Sequence, residues 1–132
     1  MFSTGFSGFS VDDVGAARRF YADVLGLRVE GEQMLRVTLG PGRTVLIYPK
    51  GPAHVPASFT VLNLVADDVA AAVAELRSRG VEFETYEGTP MQVDDDGVFR
   101  GGPDPDPGGS GPEIAWFTDP AGNVLSVIGD DL

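Results

Sequence analysis

The 132-residue sequence predicts an α+β fold made of two tandem βαβββ modules. Two segments with the same pattern support this prediction, GFSVDDVGAARRFYADVLGL and LNLVADDVAAAVAELRSRGV. Each begins with a short apolar stretch and an aspartate pair, continues with apolar residues at helical spacing, and ends near a glycine. Strand-like runs separated by turn residues follow both segments. An internal repeat of this kind is stronger evidence of fold than a single motif.

Both predicted helices have an acidic N-cap and a glycine stop. Asp12 or Asp13 precedes the first helix, in which apolar residues recur from Val14 to Leu25 and which Gly26 ends. The second helix has the same arrangement: Asp67 or Asp68 as N-cap, then Val69, Ala72, Val73 and Leu76, and Gly80 as the stop.

The remaining strand-like runs define the modules and their boundaries. MLRVTL, the turn GPGR and TVLIYP close module one, whereas VEFETY, EIAWF, the turn TDPAGN and VLSVI belong to module two. We predict a single domain over residues 1–132, with module one at 4–50, a linker at 51–57 and module two at 58–130. The segment 91–112 is rich in Gly, Pro and Asp, which predicts a mobile loop over one end of a pocket.

Composition and charge exclude several classes of protein. The chain has 9 Lys and Arg against 20 Asp and Glu, and this net charge of −11 repels the phosphates of nucleic acid. The absence of cysteine excludes disulfides, thiolate zinc sites and cysteine nucleophiles. No apolar run reaches the ~20 residues of a membrane span, and the N-terminal residues do not form a signal-peptide pattern. We therefore expect a cytoplasmic protein with neither a nucleic-acid nor a membrane partner.

The strand, aspartate pair and RRFYADVLGL helix, their second copy, and FTDPAGNVLSV together resemble the vicinal oxygen chelate superfamily. This superfamily includes glyoxalase I, bleomycin-resistance proteins and extradiol dioxygenases, and the resemblance covers nearly the whole chain. It implies two curved half-barrel sheets per chain and, commonly, a homodimer. In the enzymes of the superfamily, it also implies a divalent metal held by His, Glu or Gln from the first and last strands of each module.

The four positions that the resemblance assigns to metal ligands hold unsuitable side chains here. Phe6 and Val61 occupy the first-strand positions, and Ile47 and Ser126 occupy the last-strand positions. A divalent ion needs several nitrogen or anionic oxygen ligands, which these residues do not provide. We therefore expect no metal or other cofactor, and we interpret Ser126 as a polar group that lines a cavity.

The same strands predict the lining of a pocket, because side chains two residues apart share a face. Apolar and aromatic groups with a few polar ones are typical of a small-molecule pocket, although a filled core has the same pattern. Phe9, Leu46, Tyr48 and Phe117 are predicted to face the helices instead. The predicted ligand-binding residues are Phe6, Ser10, Arg36, Ile47, Val61, Asn63, Trp116 and Ser126.

Other catalytic arrangements find less support in the sequence. The only histidine, His54, lies between prolines in the linker and is predicted to be an exposed loop residue, with a ligand contact across a dimer as the alternative. Serine catalysis needs an adjacent base and an orienting group, and no pattern brings His54 to Ser126. Asp94, Asp95 and Asp96 lack the spacing and closing glutamate of an EF-hand loop.

Three functions remain compatible with the sequence. The first is a metal-free, homodimeric protein that binds a small molecule and sequesters an aromatic or cationic compound. The second is a metal-dependent lyase, isomerase or dioxygenase of the same superfamily whose ligands lie elsewhere in the chain. The third is a protein-interaction module that uses the acidic loop and has no pocket.

Overall fold

The structure is a computed structural model that describes residues 1–85, 98–99 and 113–130. It has the predicted α+β fold, with two small sheets and two helices. The chain divides into two compact units. Unit 1 comprises Met1–Val61 and Asp119–Asn123, and unit 2 comprises Leu62–Thr118 and Val124–Leu132. Within the described ranges, no helix has the length and apolar content that crossing a bilayer requires.

Unit 1 contains a four-stranded sheet and one helix. The elements are β1 (Ser7–Val11), α1 (Val14–Arg19), β2 (Arg28–Glu30), β3 (Leu35–Gly40), β4 (Arg43–Pro49) and a short 3-10 turn (Gly51–Ala53). The strands stand in the order β1-β4-β3-β2, with β1 parallel to β4 and the other neighbours antiparallel.

The first helix begins as predicted but changes its period before it ends. Asp13 is the N-cap, and its carboxylate accepts a backbone N–H at 3.1 Å. The chain then widens into a π-helical turn, Phe20–Val24, in which the N–H of Leu25 donates to the Phe20 carbonyl. Gly26 follows with φ 71°, which confirms the predicted left-handed stop.

The core of unit 1 lies between the helix and one face of the sheet. Phe9, Leu35 and Ile47 share this face, because Ile47 is the registered partner of the other two residues. The Phe9 ring contacts the ring of Tyr21 in the π-helical turn, with centroids 6.1 Å apart. The register of β3 with β4 shifts between Thr38 and Gly40, where β3 has a bulge.

Unit 2 contains a three-stranded sheet in the order β5-β7-β6, together with the second helix. Asp68 caps this helix through the N–H of Ala71 at 3.0 Å, and Gly80 has φ 93°, so the predicted cap and stop are both confirmed. The elements are β5 (Thr60–Ala66), whose first two residues belong to unit 1, α2 (Val69–Ser78), β6 (Ile114–Thr118) and β7 (Val124–Gly129).

The predicted mobile loop at 91–112 lies outside the described residues, except for Val98 and Phe99. Phe99 exchanges two backbone hydrogen bonds with Ile114 of β6, at 2.6 and 2.9 Å. Its ring lies 5.9 Å from the ring of Trp116, and Val98 is fully buried. Phe99 is therefore paired with β6, next to the buried Val98.

Candidate functional site

A pocket of about 540 Å³ opens in unit 1. Its walls come from β1, the end of β4, residues 55–61 and Asn123. Cavities of roughly 300–1,000 Å³ are usual for small molecules. None of the described side chains that line the pocket carries a charge. The lining residues include five that carry hydroxyls, Ser7, Ser10, Tyr48, Ser58 and Thr60, and the apolar residues Val55, Pro56, Phe59 and Val61.

The sheet contributes Ser10 and Tyr48 to the pocket. They are registered partners in the parallel pair of β1 and β4, so their side chains share a face. Gly8 lies two residues before Ser10 on the same face. A Cβ added at Gly8 would lie 3.7 Å from Cε1 of Tyr48 and 3.0 Å from the Leu46 carbonyl oxygen. The glycine therefore permits the close approach of the β4 backbone at Leu46, while the Tyr48 ring would be in ordinary contact with a Cβ.

The imidazole of His54 is hydrogen-bonded to the side chain of Ser10. The Ser10 Oγ lies 2.7 Å from His54 Nδ1, and His54 Nε2 lies 2.9 Å from the Ala121 carbonyl oxygen. A carbonyl oxygen only accepts, so in the neutral imidazole Nε2 carries the proton and Nδ1 accepts from the Ser10 hydroxyl. The prediction of an exposed loop histidine is therefore wrong, because His54 is half-buried and both ring nitrogens are bonded.

Asn123 joins β1 to the linker at the back of the pocket. Its Nδ2 donates to the Ser10 carbonyl at 2.8 Å and to the Asp119 carboxylate at 3.2 Å. Its Oδ1 accepts from the N–H of Ala57 at 3.2 Å. The side chain is 2% exposed, and it uses both donors and an acceptor. It therefore fixes the position of Ser10 relative to the pocket wall at Ala57.

The turn DPAGN folds around the buried carboxylate of Asp119. Oδ1 accepts from the N–H groups of Ala121 and Asn123 at 3.0 and 2.8 Å, and Oδ2 accepts from the Tyr21 hydroxyl at 2.8 Å. Burial of Tyr21, together with the neighbouring Asp119 charge, raises the pKa of the tyrosine hydroxyl far above its ordinary value. Tyr21 therefore stays protonated and remains a donor.

Gly122 permits the close approach of this turn to the linker. Its φ is 83°, and an added Cβ would lie 3.1 Å from two side-chain carbons of Pro56.

Replacing Gly122 by alanine tests this approach, and Gly42 is a matched control position, because its φ is 69° and an added Cβ would meet nothing. A left-handed alanine costs about 1–2 kcal/mol at either position. We expect Gly122→Ala to lower the free energy of unfolding by about 1 kcal/mol more than Gly42→Ala, measured by urea denaturation. Equal losses of unfolding free energy in the two variants would show that the Pro56 side chain moves aside without an energetic cost.

Two of the predicted ligand-binding residues, Ser10 and Val61, line this pocket. Phe6 is 68% exposed and lies outside its lining. Arg36 is also exposed, and it shares the sheet face of its β4 partner Leu46.

The placement of Ile47 beside Ser10 was wrong. Ile47 is fully buried as the partner of Phe9, on the face that packs against the helix. The parallel register pairs Gly8 with Leu46 and Ser10 with Tyr48, so Leu46 and Tyr48 share the Ser10 face. The prediction that Leu46 and Tyr48 face the helix was wrong for the same reason.

Unit 2 contains the other three predicted residues, Asn63, Trp116 and Ser126. Trp116 is the cross-strand partner of Ser126, whose hydroxyl donates to Asn63 Oδ1 at 2.5 Å. Ser126 is fully buried, and Trp116 is 8% exposed next to the Phe99 ring. The expectation that Ser126 is an open lining hydroxyl without a partner is therefore wrong. Asn63 itself is exposed, so the buried Ser126 hydroxyl is paired with a surface side chain of unit 2.

Sequence reasoning missed Tyr48, His54 and Asn123 as parts of the pocket and its support. For Asn123 a sequence signal existed, because the residue belongs to the DPAGN motif, which predicts a structured turn. No local pattern joins His54 to Ser10, because the two residues are 44 positions apart.

The residues at the expected metal positions do not fit a metal ion. These positions hold Phe6, Ile47, Val61 and Ser126. Hydrocarbon groups and one neutral hydroxyl do not replace the usual nitrogen and carboxylate ligands. In the described part of the chain, no three His, Asp or Glu side chains are grouped closely enough to hold an ion.

The chain belongs to the Glyoxalase/Bleomycin resistance protein/Dioxygenase superfamily, whose family profile it matches over residues 6–127. This match confirms the resemblance found in the sequence. No curated protein sequence is similar enough to this chain to be counted as a relative.

Solved structures with this fold extend over almost the whole chain. An antibiotic-binding protein from Streptomyces sp. CB03234 is 25% identical, with 98% of both chains covered and a TM-score of 0.65. A glyoxalase/bleomycin resistance protein from the same organism is 26% identical, with 94% of this chain and 99% of the other covered and a TM-score of 0.60. A lactoylglutathione lyase from Agrobacterium tumefaciens is 20% identical, with 98% and 94% covered and a TM-score of 0.64, and it shows the fold alone.

Proposed function

We propose that this chain binds a neutral aromatic small molecule in the unit 1 pocket without a metal and thereby sequesters it. The observation that carries the proposal is the pocket itself, about 540 Å³ in volume and lined by apolar groups and hydroxyls. Similarity to an antibiotic-binding protein at 25% identity supports the same class of function. The metal-dependent alternative finds no support in the side chains at the expected ligand positions.

The pocket lining favours a neutral ligand over a cationic one. Phe59 and Tyr48 present aromatic rings, which suit a planar ligand, and the hydroxyls donate to or accept from carbonyl and hydroxyl groups. A desolvated cation needs a carboxylate partner, and none of the described lining residues supplies one. The net charge of −11 attracts cations to the surface in general, and salt weakens that attraction.

Two dyes with the same planar ring system test this proposal, the neutral Nile red and the cationic Nile blue. We expect Nile red to bind with a rise in fluorescence and in melting temperature, and with an affinity that salt does not reduce. Nile blue should bind only at low salt. Salt-resistant binding of Nile blue alone would contradict a neutral ligand, and failure of both dyes to bind would contradict the pocket.

The metal-free part of the proposal has its own measurement. Protein purified without chelator should contain no stoichiometric divalent metal by elemental analysis. A metal at one equivalent per chain, lost together with dye binding on chelation, would instead favour the metal-dependent alternative.

We also propose that the protein is a homodimer. Phe6 and Phe59 are 68% and 69% exposed, and a second copy of the chain would remove such apolar side chains from water. Sedimentation velocity measures this, and a monomer alone at micromolar concentration would contradict it. The cytoplasmic location stays a prediction.

A further inference from the structure

We propose that Ser10 is a nucleophile activated by His54 and that it attacks ester carbonyls of molecules held in the unit 1 pocket. The inference rests on the proposed binding pocket and adds a reaction to it. A ligand with an ester or lactone group would then be hydrolysed as well as bound.

The first support is the fixed chemistry of the pair. His54 Nδ1 accepts the Ser10 hydroxyl proton across 2.7 Å, and His54 Nε2–H donates to the Ala121 carbonyl across 2.9 Å. Nucleophile, base and orienting acceptor are the three components of an activated serine. Here the orienting group is the backbone carbonyl of Ala121. It fixes the tautomer of the His54 imidazole, as the aspartate carboxylate does in a Ser-His-Asp triad.

The second support is the rigidity of both partners. Asn123 holds the Ser10 backbone at 2.8 Å, and the Asp119 carboxylate holds the turn that carries the Ala121 carbonyl. Serine and imidazole are therefore positioned by buried groups rather than by two flexible surface chains.

The third support is access to a bound molecule. Ser10 is half-buried and lines the pocket, and Tyr48 is its registered neighbour on the same sheet face. Within residues 1–85, 98–99 and 113–130, the Tyr48 hydroxyl makes no hydrogen bond and is available as a donor. It stabilises the negative oxygen that forms when the serine adds to a carbonyl.

The reaction proceeds in two balanced steps. Ser10 Oγ bonds to the carbonyl carbon as its proton passes to His54 Nδ1, and the alcohol then leaves with that proton while the acyl group stays on the serine. Water next adds to the acyl carbon and gives its proton to His54, which returns it to Ser10 Oγ as the carboxylic acid departs.

A fluorophosphonate probe and 4-nitrophenyl acetate test the proposal on the full chain. With the fluorophosphonate, the Oγ–P bond forms, the P–F bond breaks, fluoride leaves and His54 takes the proton. We expect one phosphonyl group per chain, mapped to Ser10 by tandem mass spectrometry, and release of 4-nitrophenolate from the ester. His54→Gln should lower both rates by about 100-fold or more. Ser78→Ala, which removes a hydroxyl bonded to the Glu75 carbonyl, should change neither rate.

Each outcome decides between the reaction and the binding function. Absence of label, label on another serine, or ester release that persists in Ser10→Ala overturns the nucleophile. Nile red binding without labelling retains the binding function and rejects the reaction, whereas failure of both dyes rejects the pocket as well. Melting temperatures show whether the variants fold. If His54→Gln is unfolded, His54→Asn replaces it, because an amide side chain also cannot take up the hydroxyl proton.

Discussion

Replacing Asp119 by alanine is expected to lower the free energy of unfolding by about 3–5 kcal/mol. The carboxylate is 4% exposed and accepts from the Tyr21 hydroxyl and from the N–H groups of Ala121 and Asn123. Alanine leaves these buried donors without an acceptor, and each such donor costs about 1–3 kcal/mol, with partial relaxation of the turn. Urea denaturation monitored by circular dichroism measures the loss.

Two further variants distinguish the loss of the hydrogen bonds to Asp119 from a general effect of removing a negative charge on stability. Tyr21→Phe removes one donor and leaves the two backbone bonds to Asp119, so its cost should be about 1–2 kcal/mol. Asp67→Ala removes an exposed carboxylate and should change stability by no more than about 0.5 kcal/mol. If Asp119→Ala costs no more than Asp67→Ala, the buried carboxylate does not hold the turn.

The largest expected effect on binding comes from Val61→Trp, which should weaken Nile red affinity by about 100-fold or more, equivalent to about 2.8 kcal/mol. Val61 lies half-buried in the pocket wall, and an indole there occupies the space of a planar ligand. Fluorescence titration measures the affinity, and the melting temperature shows that the variant is folded.

Val65→Trp is the matched control for this change. It places the same side chain four residues further along β5, at a position that is 59% exposed and outside the pocket lining. Its Nile red affinity should therefore equal that of the unmodified protein within about twofold, or about 0.4 kcal/mol. Equal weakening by both variants would place the dye somewhere other than the pocket.

The fold was predictable because its determinants are local. Asp13 and Asp68 cap the two helices through their own N-terminal turns, and Gly26 and Gly80 stop the chain with positive φ. Capping by aspartate and stopping at a left-handed glycine both depend on residues within one or two helical turns, so the local sequence is enough to predict them.

The pocket was predictable only in part, because its lining depends on the register between strands that are distant in sequence. The parallel register of β1 with β4 places Ile47 beside Phe9 and Tyr48 beside Ser10. No turn joins these two parallel strands directly, so no local pattern fixes which face of β4 lies beside Ser10. The superfamily position carried over to Ile47 therefore predicts the wrong face.

The position of His54 could not be predicted for a different reason. Its two partners, Ser10 and Ala121, are 44 and 67 residues away in the sequence. Such contacts follow from the assembled fold, and no spacing rule in a single sequence indicates them.

The turn 119–123 belongs to unit 1 although most of its sequence neighbours belong to unit 2. During synthesis, the ribosome therefore releases Tyr21 long before its acceptor Asp119 exists, because 98 residues separate them. Closing so long a loop is slow compared with forming local helices, so unit 1 reaches its final packing late. A gene fragment that ends at Val61 would encode the four strands of the first sheet without the turn that locks them, so this fragment alone would be less stable than unit 1 in the full chain.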